Sequence, residues 1–239
     1  MPGEVIAASA VALVDAAFAI VVGNQWLARR RTYQGAWLAA LIMAAIAAGS
    51  YVLFLLLGRA EIFFRLYYLF GAALNVAFLG LGSLFLATRR SLRPLVVLLV
   101  AASVLTAALV LTTPVDPIAL AATSGAGANV FPNGPWLVML ILLNTFGTVC
   151  LVGVALQSAW ASWRRTGGLE RALPNVVIAL GALTIAAAGS LARFSGAGGF
   201  WLTMLTGWIV MFIGFLLANR VAGRRRTTVA AVRKSAVRP

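Results

Sequence analysis

Asp15 is the residue of this chain with the most chemistry to offer. It stands ten residues into an apolar run from Val5 to Leu27, about 15 Å deep at a helical rise of 1.5 Å per residue. A carboxyl at that depth in hydrocarbon either pairs with a cation or keeps its proton. The cations nearest in depth are Arg65 and Arg193, and Glu61 stands one helical turn before Arg65, the spacing of an ion pair. Two readings follow. These groups form an outward-facing polar pocket that binds an anion or relays a proton, or they are structural pairs that pin helices together. For Arg65 and Arg193 the structural reading is the plainer one, and for Asp15 the two stand level.

Asn75, Asn144 and Thr206 also lie inside apolar runs, with Thr106, Thr184 and Thr203. Such side chains either bond between helices or face a cavity. Tyr68 and Trp208 divide in the same way between cavity lining and aromatic packing. The candidate ligand or ion pathway is therefore Asp15, Arg65, Tyr68, Asn75, Asn144, Arg193, Thr206 and Trp208. Gly80, Gly82, Ser83, Gly181 and Gly189 read as points of close helix contact. The chain has no His and one Cys, Cys150. That removes His-held haem, a His-based zinc site, a Ser-His-Asp triad and an internal disulfide. No metal and no cofactor is expected.

The elements that must hold these residues are set by composition. Of 239 residues, 62% are hydrophobic and 10% charged, whereas a soluble domain carries about 25% charged residues. Such a chain cannot dress a water-facing surface. Crossing a hydrocarbon core of ~30 Å takes about 20 apolar residues in a helix. Seven stretches qualify or come close: Val5 to Leu27, Ala36 to Leu57, Ile62 to Leu86, Leu95 to Leu111, Trp136 to Ala159, Val176 to Leu191 and Phe200 to Ala218. They are continuous rather than alternating, which favours helices over a β-barrel. The expectation is an all-α, polytopic membrane protein of seven transmembrane helices, one domain over 1–219. A basic tail over 220–239 follows, with no fixed structure expected. Glu4 precedes the first run and an Arg triplet ends it, the reverse of a cleaved signal peptide, so the first helix is expected to be retained.

Lys and Arg collect in cytoplasmic loops. With the N-terminus outside, sixteen of the nineteen basic residues fall inside and only Arg59, Arg65 and Arg193 outside. Glu4, Glu61 and Asp116 lie outside, and Glu170 inside. Trp26, Trp37, Trp160 and Trp163 fall at the inner interface, and Trp136 and Trp201 at the outer. The net charge of +14 is thus explained by topology and calls for no nucleic acid. The expected partners are the bilayer and anionic headgroups at the cytoplasmic face. The setting is the plasma membrane, and Arg and Ala enrichment suggests a GC-rich bacterial genome. The longest loop, Thr112 to Pro135 on the outside, is either a lid over an outer pocket or an exposed connector, the connector being the plainer reading.

Two halves can be laid over one another. Ala47-Ala48-Gly49-Ser50 matches Ala187-Ala188-Gly189-Ser190, and Leu84 to Arg89 matches Phe215 to Arg220. The first and fifth spans both close on a Gln, a Trp and an Arg run. This suggests three helices, a linking fourth and three more, a 3+1+3 parallel repeat. The alternative is coincidence in a small alphabet of Ala, Leu, Val and Gly. The layout resembles, in topology alone, the microbial rhodopsins and the SWEET/PQ-loop sugar transporters. The only Lys is Lys234 in the tail, so no Schiff-base lysine is present in the seventh span, and neither Gln25 nor Gln157 follows a Pro. Parallel repeats place binding sites at their interface. The function expected is therefore transport of a small solute or lipid, without enzymatic chemistry. A membrane sensor or scaffold is the second reading, and an intramembrane enzyme on lipid or isoprenoid substrates the third.

Overall fold

A computed structural model describes residues 2–88, 90–123, 125–127, 129–166 and 169–235. Side chains at 2, 166, 169, 171, 190–198 and 222–235 fall outside that description. The described residues are helical with no strand, in the order α1 (Pro2–Arg29), α2 (Thr32–Leu56), α3 (Glu61–Tyr67), α4 (Asn75–Ala87), α5 (Arg93–Thr112), α6 (Pro117–Ala122), α7 (Pro135–Thr166) and α8 (Leu169–Ser235). A π-helical segment, Tyr68–Leu74, joins α3 to α4 into one crossing. Among the described residues, seven helical stretches are long and apolar enough to cross a membrane. The helices break where the chain chemistry allows. Arg30 and the pair Gly58 and Arg59 take positive φ at the ends of α1 and α2, the left-handed stop that satisfies terminal carbonyls. A Pro starts α5, where its missing N–H costs nothing.

Two of the seven crossings lie within α8. On a straight helix, 174 and 214 would stand about 60 Å apart. Instead, a Cβ placed on Gly214 would lie 3.0 Å from the Pro174 carbonyl oxygen, and one on Gly181 would lie 2.8 Å from the Gly207 carbonyl oxygen. The chain therefore reverses between Gly189 and Gly199, and 172–189 packs antiparallel to 199–221. The helical backbone continues to Ser235, through the segment expected to lack fixed structure; its Ala and Arg residues are good helix formers.

The crossings close a ring. α1 packs on α2, α2 on α3–α4, α4 on α7, α7 on α8, and α8 returns to α1. Phe18 stacks on Phe212 at 4.8 Å to fasten that last seam. α5 sits outside the ring against α7 and the π segment, with Val97, Leu98 and Val104 exposed. Lipid tails are as apolar as these side chains, so packing between helices relies on close backbone approach. Gly80 meets Gly147, Gly82 meets the Trp37 indole, and Gly181 meets Gly207 and Met211. Gly189 is different: nothing stands within 4 Å of a Cβ placed there, because it faces the space at the ring's centre. Both Ala-Ala-Gly-Ser segments border that space through Ala47, Ala48 and Gly189. The third span carries a π segment that the seventh lacks, so the halves differ there.

Candidate functional site

The ring surrounds a partly open cavity of about 200 Å³. α1 contributes Val11 and Asp15, one turn apart. α2 contributes Ala44, Ala47 and Ala48, whose small side chains leave the room. Tyr67, Gly71, Ala72, Asn75, Val76 and Leu79 come from the third span, and Asn144, Thr148 and Leu151 from α7. The two limbs of α8 add Ala182, Ile185, Ala186 and Gly189, then Phe200, Trp201, Met204, Trp208 and Met211. Every crossing except α5 supplies a wall.

Its polar groups are held without internal partners. Asp15 is 1% exposed and Asn75 2%. Asp15 Oδ1, Asn75 Oδ1 and Trp208 Nε1 have no hydrogen-bond partner among the described residues. Trp201 Nε1 and the Tyr51 hydroxyl approach one another without closing a bond of good geometry. Buried polar atoms are satisfied in the great majority of cases, so a cluster of exceptions in one cavity needs an explanation. Asn144 differs: its Nδ2 donates to the Ala72 carbonyl at 2.7 Å and to that of Leu140 at 2.9 Å. Ala72 lies in the π segment, whose wider turn displaces carbonyls from the regular ladder and which is frequent at functional sites.

Of the residues singled out from sequence, Asp15, Asn75, Asn144 and Trp208 meet at the cavity. Arg65, Tyr68 and Thr206 do not. Thr206 is exposed on the outer face of α8 and donates to the Leu202 carbonyl. Tyr68 packs among Phe64, Phe131 and Trp136. The side chain of Arg193 falls outside the described residues. Asp15 thus points into the bundle as expected, but neither Arg65 nor Asn144 is its partner. Tyr67, Trp201 and Thr148 were not singled out. Trp201 and Trp136, both expected at the outer bilayer interface, are buried within the protein, Trp136 donating to the Pro132 carbonyl at 2.7 Å.

Arg65 is held where α3, the end of α5 and the loop after it meet. It donates to Glu61 at 2.6 Å, to the carbonyl of Val110, and to that of Thr113 at 2.8 Å, and its guanidinium lies over Phe131. Arg59 donates to the carbonyls of Ala121 at 2.5 Å and Thr123 at 3.1 Å, closing the C-terminal end of α6. Asp116 caps the other end, accepting from the N–H groups of Ile118 and Ala119. The Tyr67 hydroxyl donates to the Gly125 carbonyl at 2.5 Å. Gly125 has φ 111°, and a Cβ there would fall 2.7 Å from the Phe200 ring, so only Gly fits. Val130 and Phe131 are buried, and Ala126 lines the cavity. The loop is a lid, not an exposed connector. The physical reason is its aromatic and small residues, which give it an inward face that composition alone hides.

Arg65→Gln is expected to loosen that lid. Charge-assisted hydrogen bonds contribute about 1.5–3 kcal/mol each. Half-exposed Glu61 can turn to water, so the net loss should be about 2–3 kcal/mol. Thermal unfolding in detergent, with limited proteolysis between Thr113 and Gly134, checks this. Unchanged cleavage would mean that Arg65 does not hold the loop.

No family model, curated protein or solved structure matches the chain. The fold and the site therefore define its class from first principles. It is a multi-pass helical bundle of membrane-spanning character, with a mostly apolar central cavity that holds a few polar groups beneath a loop.

Proposed function

We propose that the protein is a carrier for a small solute, with the central cavity as its binding site. The observation that carries this reading is the set of unpartnered polar atoms, Asp15 Oδ1, Asn75 Oδ1 and Trp208 Nε1, around a shared space. Ionisable groups within membrane crossings mark substrate and ion pathways by default. Sites are typically concave and mostly apolar, with a few convergent polar groups, as here. The basic residue distribution supports a plasma-membrane setting with the N-terminus outside and the tail against anionic cytoplasmic headgroups. The protein is not taken to be an enzyme. General acid–base catalysis calls for positioned titratable partners, and Asp15 is the only carboxylate among the described cavity residues.

The test is solute uptake by the purified chain in proteoliposomes, over a panel of small amines, amino acids and sugars. One class should accumulate, and Asp15→Asn should cut uptake by about tenfold or more while thermal unfolding stays within ~1 kcal/mol. A second reading rests on the lid, tied down by Arg59, Arg65 and Tyr67. A loop anchored this way over the cavity suits a sensor that binds without releasing across the membrane. Solute-dependent stabilisation without uptake would select the sensor, and uptake insensitive to Asp15→Asn would remove the cavity from the transport route.

A further inference from the structure

We infer that the solute is a small organic ammonium ion bearing N–H groups, paired with Asp15. This rests on the reading of the cavity as a solute site and names the chemistry it selects. Charge sign comes first. Asp15 is the sole ionisable acid or base among the described cavity residues apart from Tyr67, and no described Arg or Lys side chain lines the space. Arg65, the one buried cation among the described side chains, is spent on Glu61 and on the carbonyls of Val110 and Thr113. A buried carboxyl with no described cation beside it keeps its proton or takes a cationic partner; an ammonium ion supplies that partner, and an anion does not.

Hydrogen-bond type comes second. Asp15 Oδ1 and Asn75 Oδ1 are both acceptors without donors. A primary ammonium carries three N–H donors, which answer these two oxygens but not the unpartnered Trp208 Nε1 donor. The walls come third. Trp201, Trp208, Tyr67 and Phe200 present aromatic rings to the cavity, and ring faces attract organic cations. A bare sodium or calcium ion would want about six or more oxygen ligands, which walls of Ala, Met and aromatic residues do not offer. A proton alone would need no such space. Size comes last. A 150 Å³ protein cavity accepts benzene, so about 200 Å³ suits a body of about eight non-hydrogen atoms.

The test uses the full chain in lipid nanodiscs, read by thermal unfolding and tryptophan fluorescence. The probes are benzylamine, cyclohexylamine and n-butylamine, against benzyl alcohol, benzoate, tetramethylammonium and sodium chloride. The three primary amines should raise the unfolding midpoint in a concentration-dependent way. Benzyl alcohol and benzoate, nearly isosteric with benzylamine, should bind about tenfold more weakly or worse. Tetramethylammonium, which has no N–H, should fall between. Asp15→Asn should erase the preference for benzylamine over benzyl alcohol. The comparison of those two probes on the unmodified chain stands even if the variant folds poorly. Equal binding of benzyl alcohol and benzylamine, or a preference that survives Asp15→Asn, overturns the ammonium assignment and leaves the cavity as a solute site. No response to any probe overturns both. Amine binding without uptake into proteoliposomes keeps the ammonium class and removes the carrier.

Discussion

Asp15→Leu should give a protein that unfolds at a higher temperature and neither binds nor carries solute. The carboxyl is buried with Oδ1 unpartnered. Burying a polar group without a hydrogen bond costs about 1–3 kcal/mol on protein mutational scales. Leu removes that cost, and its added methyl groups have the cavity to fill. A net gain of about 1–3 kcal/mol is expected, measurable by thermal unfolding in detergent. The opposite role predicts the opposite sign. Were Asp15 a tie between helices, removing it would strand a partner and cost about 3–5 kcal/mol. The structure supplies no such partner among the described residues. A site kept at the expense of stability is the usual mark of a residue retained for a ligand. A marked loss of stability in Asp15→Leu would sink that account.

The crossings were legible because hydrocarbon tolerates only continuous apolar helices. The run from Leu95 to Leu111 became α5, Arg93–Thr112, and Ile62 to Leu86 became one crossing over Glu61–Ala87. The facing of individual side chains was legible only where helices are regular. On the last limb of α8, Trp201, Met204, Trp208 and Met211 recur at helical spacing and line the cavity. Thr206 stands two residues from Trp208, about 200° around the helix, so its outward position was available from periodicity. The third span is another matter. In a regular helix Tyr68 and Asn75, seven residues apart, share a face to within about 20°, and Tyr67 lies about 80° from Asn75. The π segment Tyr68–Leu74 absorbs one extra residue. That shifts the phase and brings Tyr67 onto the Asn75 face, while Tyr68 turns into the aromatic cluster under the lid. Nothing in Tyr-Leu-Phe-Gly-Ala-Ala-Leu announces this, because the wide turn is selected by tertiary contacts such as that of Asn144 with Ala72. The lid was hidden for a similar reason. Its anchors Arg59, Arg65 and Tyr67 all come from outside the loop.

Gly147→Val should be among the most damaging single substitutions in the chain, and Gly153→Ala, on the same helix, should be harmless. At the crossing of α4 and α7, a Cβ on Gly147 would land on the carbonyl of Val76, and one on Gly80 would lie 2.7 Å from Gly147 Cα. Both neighbours are backbone, so no rotamer change relieves the clash and the helices must separate. Overpacking of this kind costs about 1–3 kcal/mol and occasionally more. Val, with two branches at the contact, belongs at or above the upper end. Separation would also pull Asn144, one turn from Gly147, off the Ala72 carbonyl and open the ring beside Asn75. Solute binding should therefore fall together with stability. Gly153 has nothing within 4 Å of a Cβ, so Ala there only removes the backbone freedom of an interior helical Gly, a gain of about 0.5–1 kcal/mol. Opposite signs at two glycines six residues apart are what a backbone-on-backbone crossing at Gly80 and Gly147 demands. Thermal unfolding of both variants decides it, and similar midpoints would mean that α4 and α7 do not meet there.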